Sequence, residues 1–173
     1  MNPAPYSMTT RAEFLLLERG GEGRSLTNDA EAVIAQLAGR GVLEGRRVLY
    51  QDTEGRWDEM RHEAGRFRGF APLGARTAED AVAGARREVV VRMADLAVLI
   101  PFPLSSSGRD AVAEVADEVG GRVVTEGALQ AVVCKSAQDV RFAAARLGAD
   151  LDCGVQVRLG RPGRGEEDPF DRG

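Results

Sequence analysis

Three runs of alternating apolar and polar residues, separated by two short segments ending in glycine, occupy residues 47–73 and constrain the fold most. Val48–Asp52, Arg56–His62 and Arg66–Leu73 are the runs; Thr53-Glu54-Gly55 and Glu63-Ala64-Gly65 separate them. A glycine at the third loop position supplies the left-handed residue that a three-residue hairpin needs. The stretch therefore reads as a β-meander. Alternation across two such loops puts Val48, Tyr50, Met60 and Phe70 on one face, and Leu49, Trp57, Arg61 and Phe67 on the other. A helix over Glu54–Ala64 is the competing pattern, because Trp57, Arg61 and Ala64 lie four and three apart. Gly55 in its first turns counts against it by ~1 kcal/mol.

The flanking chain supplies the remaining elements. Ala12–Glu18 is an apolar run stopped by Arg19-Gly20-Gly21, and reads as a buried strand. A helix over Asn28–Gly39 begins with Asn28 and Glu31 in capping-box spacing and has Ala30, Val33, Ile34, Leu37 and Ala38 on one side. A second helix starts at Thr77. Strands are expected at Glu88–Met93 and Leu96–Phe102, then a helix over Arg109–Val119, a hairpin of Arg122–Thr125 and Leu129–Cys134, a helix from Ser136 to Leu147, and a strand at Gly154–Leu159.

This order contains a repeat. Strand–helix–strand–strand–helix–strand occurs twice, with one extra strand in the first copy. Thr77-Ala78-Glu79-Asp80 and Ser136-Ala137-Gln138-Asp139 open corresponding helices. The expected class is α/β of the α+β type: tandem split βαβ, ferredoxin-like units, each an antiparallel sheet with helices on one face, the first extended by the meander. The expected organisation is a flexible tail at 1–10, a first half at 11–93, a second at 94–159 and a disordered tail at 160–173. That last tail carries Glu166-Glu167-Asp168-Pro169-Phe170, an acidic run ending on an aromatic.

Chemistry-bearing residues are sparse. Residues 47–73 hold the only Trp, the only His and four of the nine aromatic residues. An Arg beside a Trp on a sheet face forms cation–π contacts, and both types are enriched at binding hot spots. Leu49, Trp57, Arg61 and Phe67 are therefore the candidate partner-binding set, weighed against a Trp57 that plugs the core. Ser106, Ser107, Gly108 and Arg109 are a candidate anion site at a helix start, although an ordinary capping loop has the same composition. Between residues 94 and 157 nine acidic residues face five basic ones, and Asp110, Glu114, Asp117 and Glu118 share a helix surface that reads as solvated. His62 has no nucleophile near it in sequence, and no zinc, nucleophile-elbow or phosphate-loop pattern occurs. Cys134 and Cys153 are the only cysteines and read as buried thiols. Neither a cofactor nor a metal is expected.

Arg68–Ala75 is similar to the octamer of RNA recognition motifs, K/R-G-F/Y-G/A-F-V-x-F/Y, over its first four positions. Pro72 and Ala75 stand where that octamer has base-stacking aromatics, so the similarity supports no family assignment. The chain has a net charge of −4, which disfavours a general nucleic-acid binder, and Lys135 is its only lysine. The first ten residues lack a secretory pattern, and no apolar run is long enough to span a bilayer. The leading expectation is a non-enzymatic cytoplasmic binding or regulatory protein that engages a protein partner through the meander. A single-stranded RNA or DNA binder using the same sheet is the alternative, and a small-molecule enzyme without a local motif the third.

Overall fold

The computed structural model describes residues 6–20, 29–126 and 129–158. Two compact units divide the chain, residues 1–82 and 83–173. Each contains a five-stranded sheet that is mixed, not antiparallel as expected, because each holds one parallel strand pair.

In the first unit the strands lie side by side in chain order: β1 (Tyr6–Arg11), β2 (Phe14–Arg19), β3 (Arg47–Gln51), β4 (Trp57–Glu63) and β5 (Arg66–Ala75). The meander expected over 47–73 is present, with no helix across 54–64. All neighbours are antiparallel except β2 and β3, which run parallel because helix α1 (Ala30–Gly39) carries the chain back between them. One face of this sheet packs on α1. Ala30, Ile34 and Leu37 meet Leu15, Leu17, Val48, Tyr50 and Met60, with Phe67 and Phe70 at the margin. Each fully buried side chain of this kind stabilises by about 1.5–3 kcal/mol relative to exposure.

Two expectations for this unit change. Residues 6–11 form an edge strand, not part of a flexible tail: Tyr6 anchors in the α1 cluster, and a two-residue turn at Ala12-Glu13 closes the hairpin. Ala12 takes φ +53° there without being a glycine or asparagine, which is why the turn left no signal. Asp29 occupies the N-cap position of helix α1 without a side-chain capping hydrogen bond, and residue 28 lies outside the described residues, as do 1–5 and 159–173.

The loop after β3 has the expected three residues. Asp52 N–H donates to Arg56 C=O at 2.7 Å, and Gly55 has φ +85°. The loop after β4 has only two. Glu63 pairs with Arg66, and Ala64 and Gly65 take φ +53° and +77°, both left-handed, which matches the twist of the hairpin.

The second unit orders its strands differently: β10 (Gly154–Arg158), β6 (Glu88–Arg92), β7 (Ala97–Ile100), β9 (Leu129–Val133) and β8 (Arg122–Glu126). β6 belongs here. The expected boundary at 93/94 separated it from its partners, whereas it pairs with β7 on one side and parallel with β10 on the other. The physical reason is that Val89 and Val91 complete the apolar face on which helices α3 (Ser106–Glu118) and α4 (Ala137–Asp150) sit. That face takes Val112, Val115 and Ala116 from α3 and Val140, Ala143, Ala144 and Leu147 from α4. Val90, Leu99, Leu129 and Ala131 form a second cluster with Ala83, near the middle of helix α2 (Ala78–Arg86). The matching helix starts act alike: Thr77 Oγ1 accepts from Asp80 N–H and Ser136 Oγ from Asp139 N–H, both at 3.1 Å.

The two-residue turn is also tightly placed, since a Cβ built on Gly65 would stand 3.0 Å from Ala38 Cβ on α1. Gly65→Ala therefore combines a left-handed side-chain residue with a close contact. A loss of about 1–2 kcal/mol is expected in denaturant unfolding. An unchanged midpoint would contradict this turn geometry.

Candidate functional site

The shortened turn decides where the meander's side chains go. His62 pairs with Phe67 and Glu63 with Arg66, but Arg61 pairs with Gly69 and Met60 with Phe70, so Arg68 is an extra residue in β5. Gly69 absorbs this bulge at φ +131°. Phe67 is thereby carried to the α1 face, where its ring meets Phe70 edge-on at 4.9 Å and Phe70 meets Tyr50 at 5.1 Å. Of the expected binding set, Leu49, Trp57 and Arg61 remain on the opposite face and Phe67 leaves it. Leu49 is 0% and Trp57 1% exposed, while Arg61 is exposed. The four do not form one surface.

A second irregularity adds Leu73 and Gly74 between the pairs Asp58–Pro72 and Trp57–Ala75. Asp58 accepts a hydrogen bond from the Leu73 N–H that the bulge leaves over, and another from the Tyr50 hydroxyl. Burial, then repulsion from Asp52, nevertheless push its carboxyl above the ordinary aspartate range.

Trp57 instead lines a groove of about 420 Å³ in the first unit. Leu16 from β2, across β3, lines it too, and Gln51, the cross-strand neighbour of Trp57, completes that wall. The rim is polar: Thr9 and Arg11 from β1, Glu18 from β2, and Arg76 to Glu79 at the start of α2. Arg11 pairs with Glu79 at 3.5 Å, and Arg76 is held by the Glu54 carbonyl at 2.9 Å. Acidic and basic groups thus alternate around an apolar strip. Of the groove's residues only Trp57 stood among the expected site residues. Thr9/Leu16 and Ser7/Glu18 share a face only through the β1–β2 register, which hangs on the unsignalled Ala12 turn.

The serine loop caps its helix. Ser105 Oγ accepts from Gly108 N–H at 3.1 Å and lies 3.1 Å from Ser107 Oγ, while Arg109 donates to the Leu104 carbonyl at 3.0 Å. Ser106 is exposed as the first helical residue. A groove of about 500 Å³ does open there, lined by Asp150 beside Arg87, whose guanidinium lies 4.4 Å from the Phe102 ring. Gly108 N–H and the Arg109 guanidinium are thus both engaged within the loop and its helix start.

His62 Nε2–H donates to the Arg46 carbonyl at 3.0 Å, which gives the only histidine a structural hydrogen bond. Cys134 is buried and Cys153 half-buried, both as free thiols, and burial pushes both upward in pKa, away from the reactive thiolate. Among the described residues no group of three His, Cys, Asp or Glu is placed to hold a metal ion, and no helix is long and apolar enough to cross a membrane.

Trp57→Ala is expected to lower stability by about 3–5 kcal/mol, as for a buried aromatic, measured by denaturant unfolding. A loss below about 1 kcal/mol would refute its role in the core. Asp58 gives a pH signature. With its folded pKa raised, the native state holds this proton more tightly than the unfolded chain. Its contribution to stability therefore falls as pH rises from the ordinary aspartate range through the folded pKa. Stability of Asp58→Asn relative to the unsubstituted protein should accordingly increase across that rise, and a relative decrease would contradict the shift.

No family model, curated protein or solved structure matches this chain.

Proposed function

We propose that this chain is a non-enzymatic binding or regulatory protein of the cytoplasm that engages a segment of another protein through the Trp57 groove of the meander. The observation that carries the reading is the groove's composition: Leu16 and Trp57 line it, with Arg11, Arg76, Glu18 and Glu79 at its rim. An apolar anchor flanked by polar groups of either sign suits such a strip, because burial supplies affinity and the rim charges orient the segment. The mixed rim is poorly suited to a polyanion. Phe67 and Phe70 pack against the α1 cluster, so they are not presented to bases as stacking faces. In the same reading the second unit is a split βαβ, ferredoxin-like arrangement. Without β6 its order is β10-β7-β9-β8, the last, first, third and second strands of strand–helix–strand–strand–helix–strand.

Arg76→Glu tests the groove without touching the core, since Arg76 is exposed. Partner capture from native lysate should survive nuclease treatment and weaken roughly tenfold or more in the variant. Because Trp57 is the only tryptophan, its emission should shift when the captured partner is added to the unsubstituted protein. Loss of all capture on nuclease treatment, with steep salt dependence, would replace this reading by a single-stranded nucleic-acid binder. Unaltered capture by Arg76→Glu would remove the groove from consideration.

A further inference from the structure

The two sheets end on four edge strands, and three carry features that discourage pairing with another chain. β1 exposes the charge of Arg11, β5 is bent by two irregularities, and β8 exposes the charge of Arg122 beside Val123, which is 37% exposed. β10 carries no such protection. Gly154–Arg158 contains no lysine, proline or bulge, and its one charge, Arg158, is 8% exposed. Val155 and Val157 are 43% and 45% exposed, on the side that carries α4. Between β10 and α4 runs an apolar groove of about 390 Å³, walled by Val91, Ala144, Ala145 and the two valines, with Arg141 at its border.

We propose that a second copy of this chain occupies this edge, pairing β10 antiparallel with β10 across a two-fold axis through Gln156. The register follows from the pattern of exposed residues. With Gln156 opposite its mate, Val155 of each copy faces Val157 of the other on the helix side, where β-branched cross-strand pairs stabilise a sheet. A continuous ten-stranded sheet results, and each free edge gains its hydrogen bonds.

Charge supports the same arrangement. α4 and β10 run in opposite directions, joined by the turn at Leu151–Cys153, and Gly148 lies against Val155. Seven residues of helix, a rise of about 10 Å, then bring Arg141 level with Arg158, about three strand residues beyond Val155. The two-fold axis sets that level opposite Gly154 of the second copy, two residues from its Asp152. Arg141 and Asp152 are both exposed, and neither is ion-paired among the described residues. Antiparallel association joins them twice, once at each end of the joint; a parallel one sets like against like. The edge is self-complementary in shape, register and charge.

Sedimentation equilibrium of the full chain should show a reversible monomer–dimer equilibrium. Val157→Lys should weaken it at least tenfold while leaving the thermal unfolding midpoint of the dilute, monomeric protein nearly unchanged, because Val157 is half exposed. Arg141→Asp alone and Asp152→Arg alone should each weaken association, and the double variant should recover it. A chain that stays monomeric at every concentration, or a dimer indifferent to Val157→Lys, overturns the proposal. So does a monomer that dimerises only after truncation beyond Arg158, which would assign the edge to the chain's own C-terminal segment. Dimerisation weakened by each charge substitution but not recovered in the double variant overturns the register.

Discussion

A turn of two residues, Ala64-Gly65, decides which side chains of the first unit meet. A third residue in that turn would move Phe67 to the side of Trp57 and leave the α1 cluster without one of its marginal rings. With two, the register shifts by one, and the extra residue at Arg68 restores the pairing before Met60 and Phe70. The shift is tolerated because Gly69 can adopt a backbone conformation that side-chain residues rarely reach. Tyr50, Phe70 and Phe67 then form a chain of ring contacts on one face, while Trp57 is left on the other without an aromatic neighbour from the meander. The separation of a structural aromatic cluster from a groove-lining tryptophan is thus a consequence of one loop length.

Much of this was legible in the residues, because period-two alternation and helical stripes report burial directly. The face Val48–Tyr50–Met60–Phe70, the inward stripes of α3 and α4, and the capping residues Thr77 and Ser136 all follow from such patterns. What escaped depends on single backbone torsions or on pairing at long range. Glu63-Ala64-Gly65 and Ala64-Gly65 are equally plausible loops until the twist of the flanking strands selects between them. Ala12 turns the chain without any of the residue types that usually mark a turn. β6 has the same composition whether it closes the first unit or opens the second, and only its neighbours decide. For the site, Trp57 stood out as a residue type, but the groove around it is assembled from β1, β2, β3 and the α2 start, whose mutual register no local pattern encodes.

Charged residues in this protein mostly organise the surface. Arg47 makes two hydrogen bonds with Glu59, at 2.8 and 2.9 Å, and is half exposed; Arg146 bridges Glu118 at 2.7 Å and Asp150 at 3.6 Å. Such pairs contribute at most about 1 kcal/mol each. The apolar clusters beneath them supply most of the stabilisation. Asp58 is an exception in kind. It takes up an N–H that an irregular strand pairing leaves over, exchanging some ease of ionisation for backbone satisfaction.

The strand orders also carry a kinetic consequence. In the first unit every strand pairs with its neighbour in sequence, so its sheet can assemble by successive local closures, the longest spanning only α1 and its connections. In the second unit β6 and β10, a parallel pair, lie near the two ends of the described unit, and nearly all of it must be synthesised and partly ordered before they can meet. Closing so long a loop is entropically the slowest kind of pairing. During synthesis the second sheet would therefore remain one strand short until the chain has passed residue 158, with β6 as its temporary border.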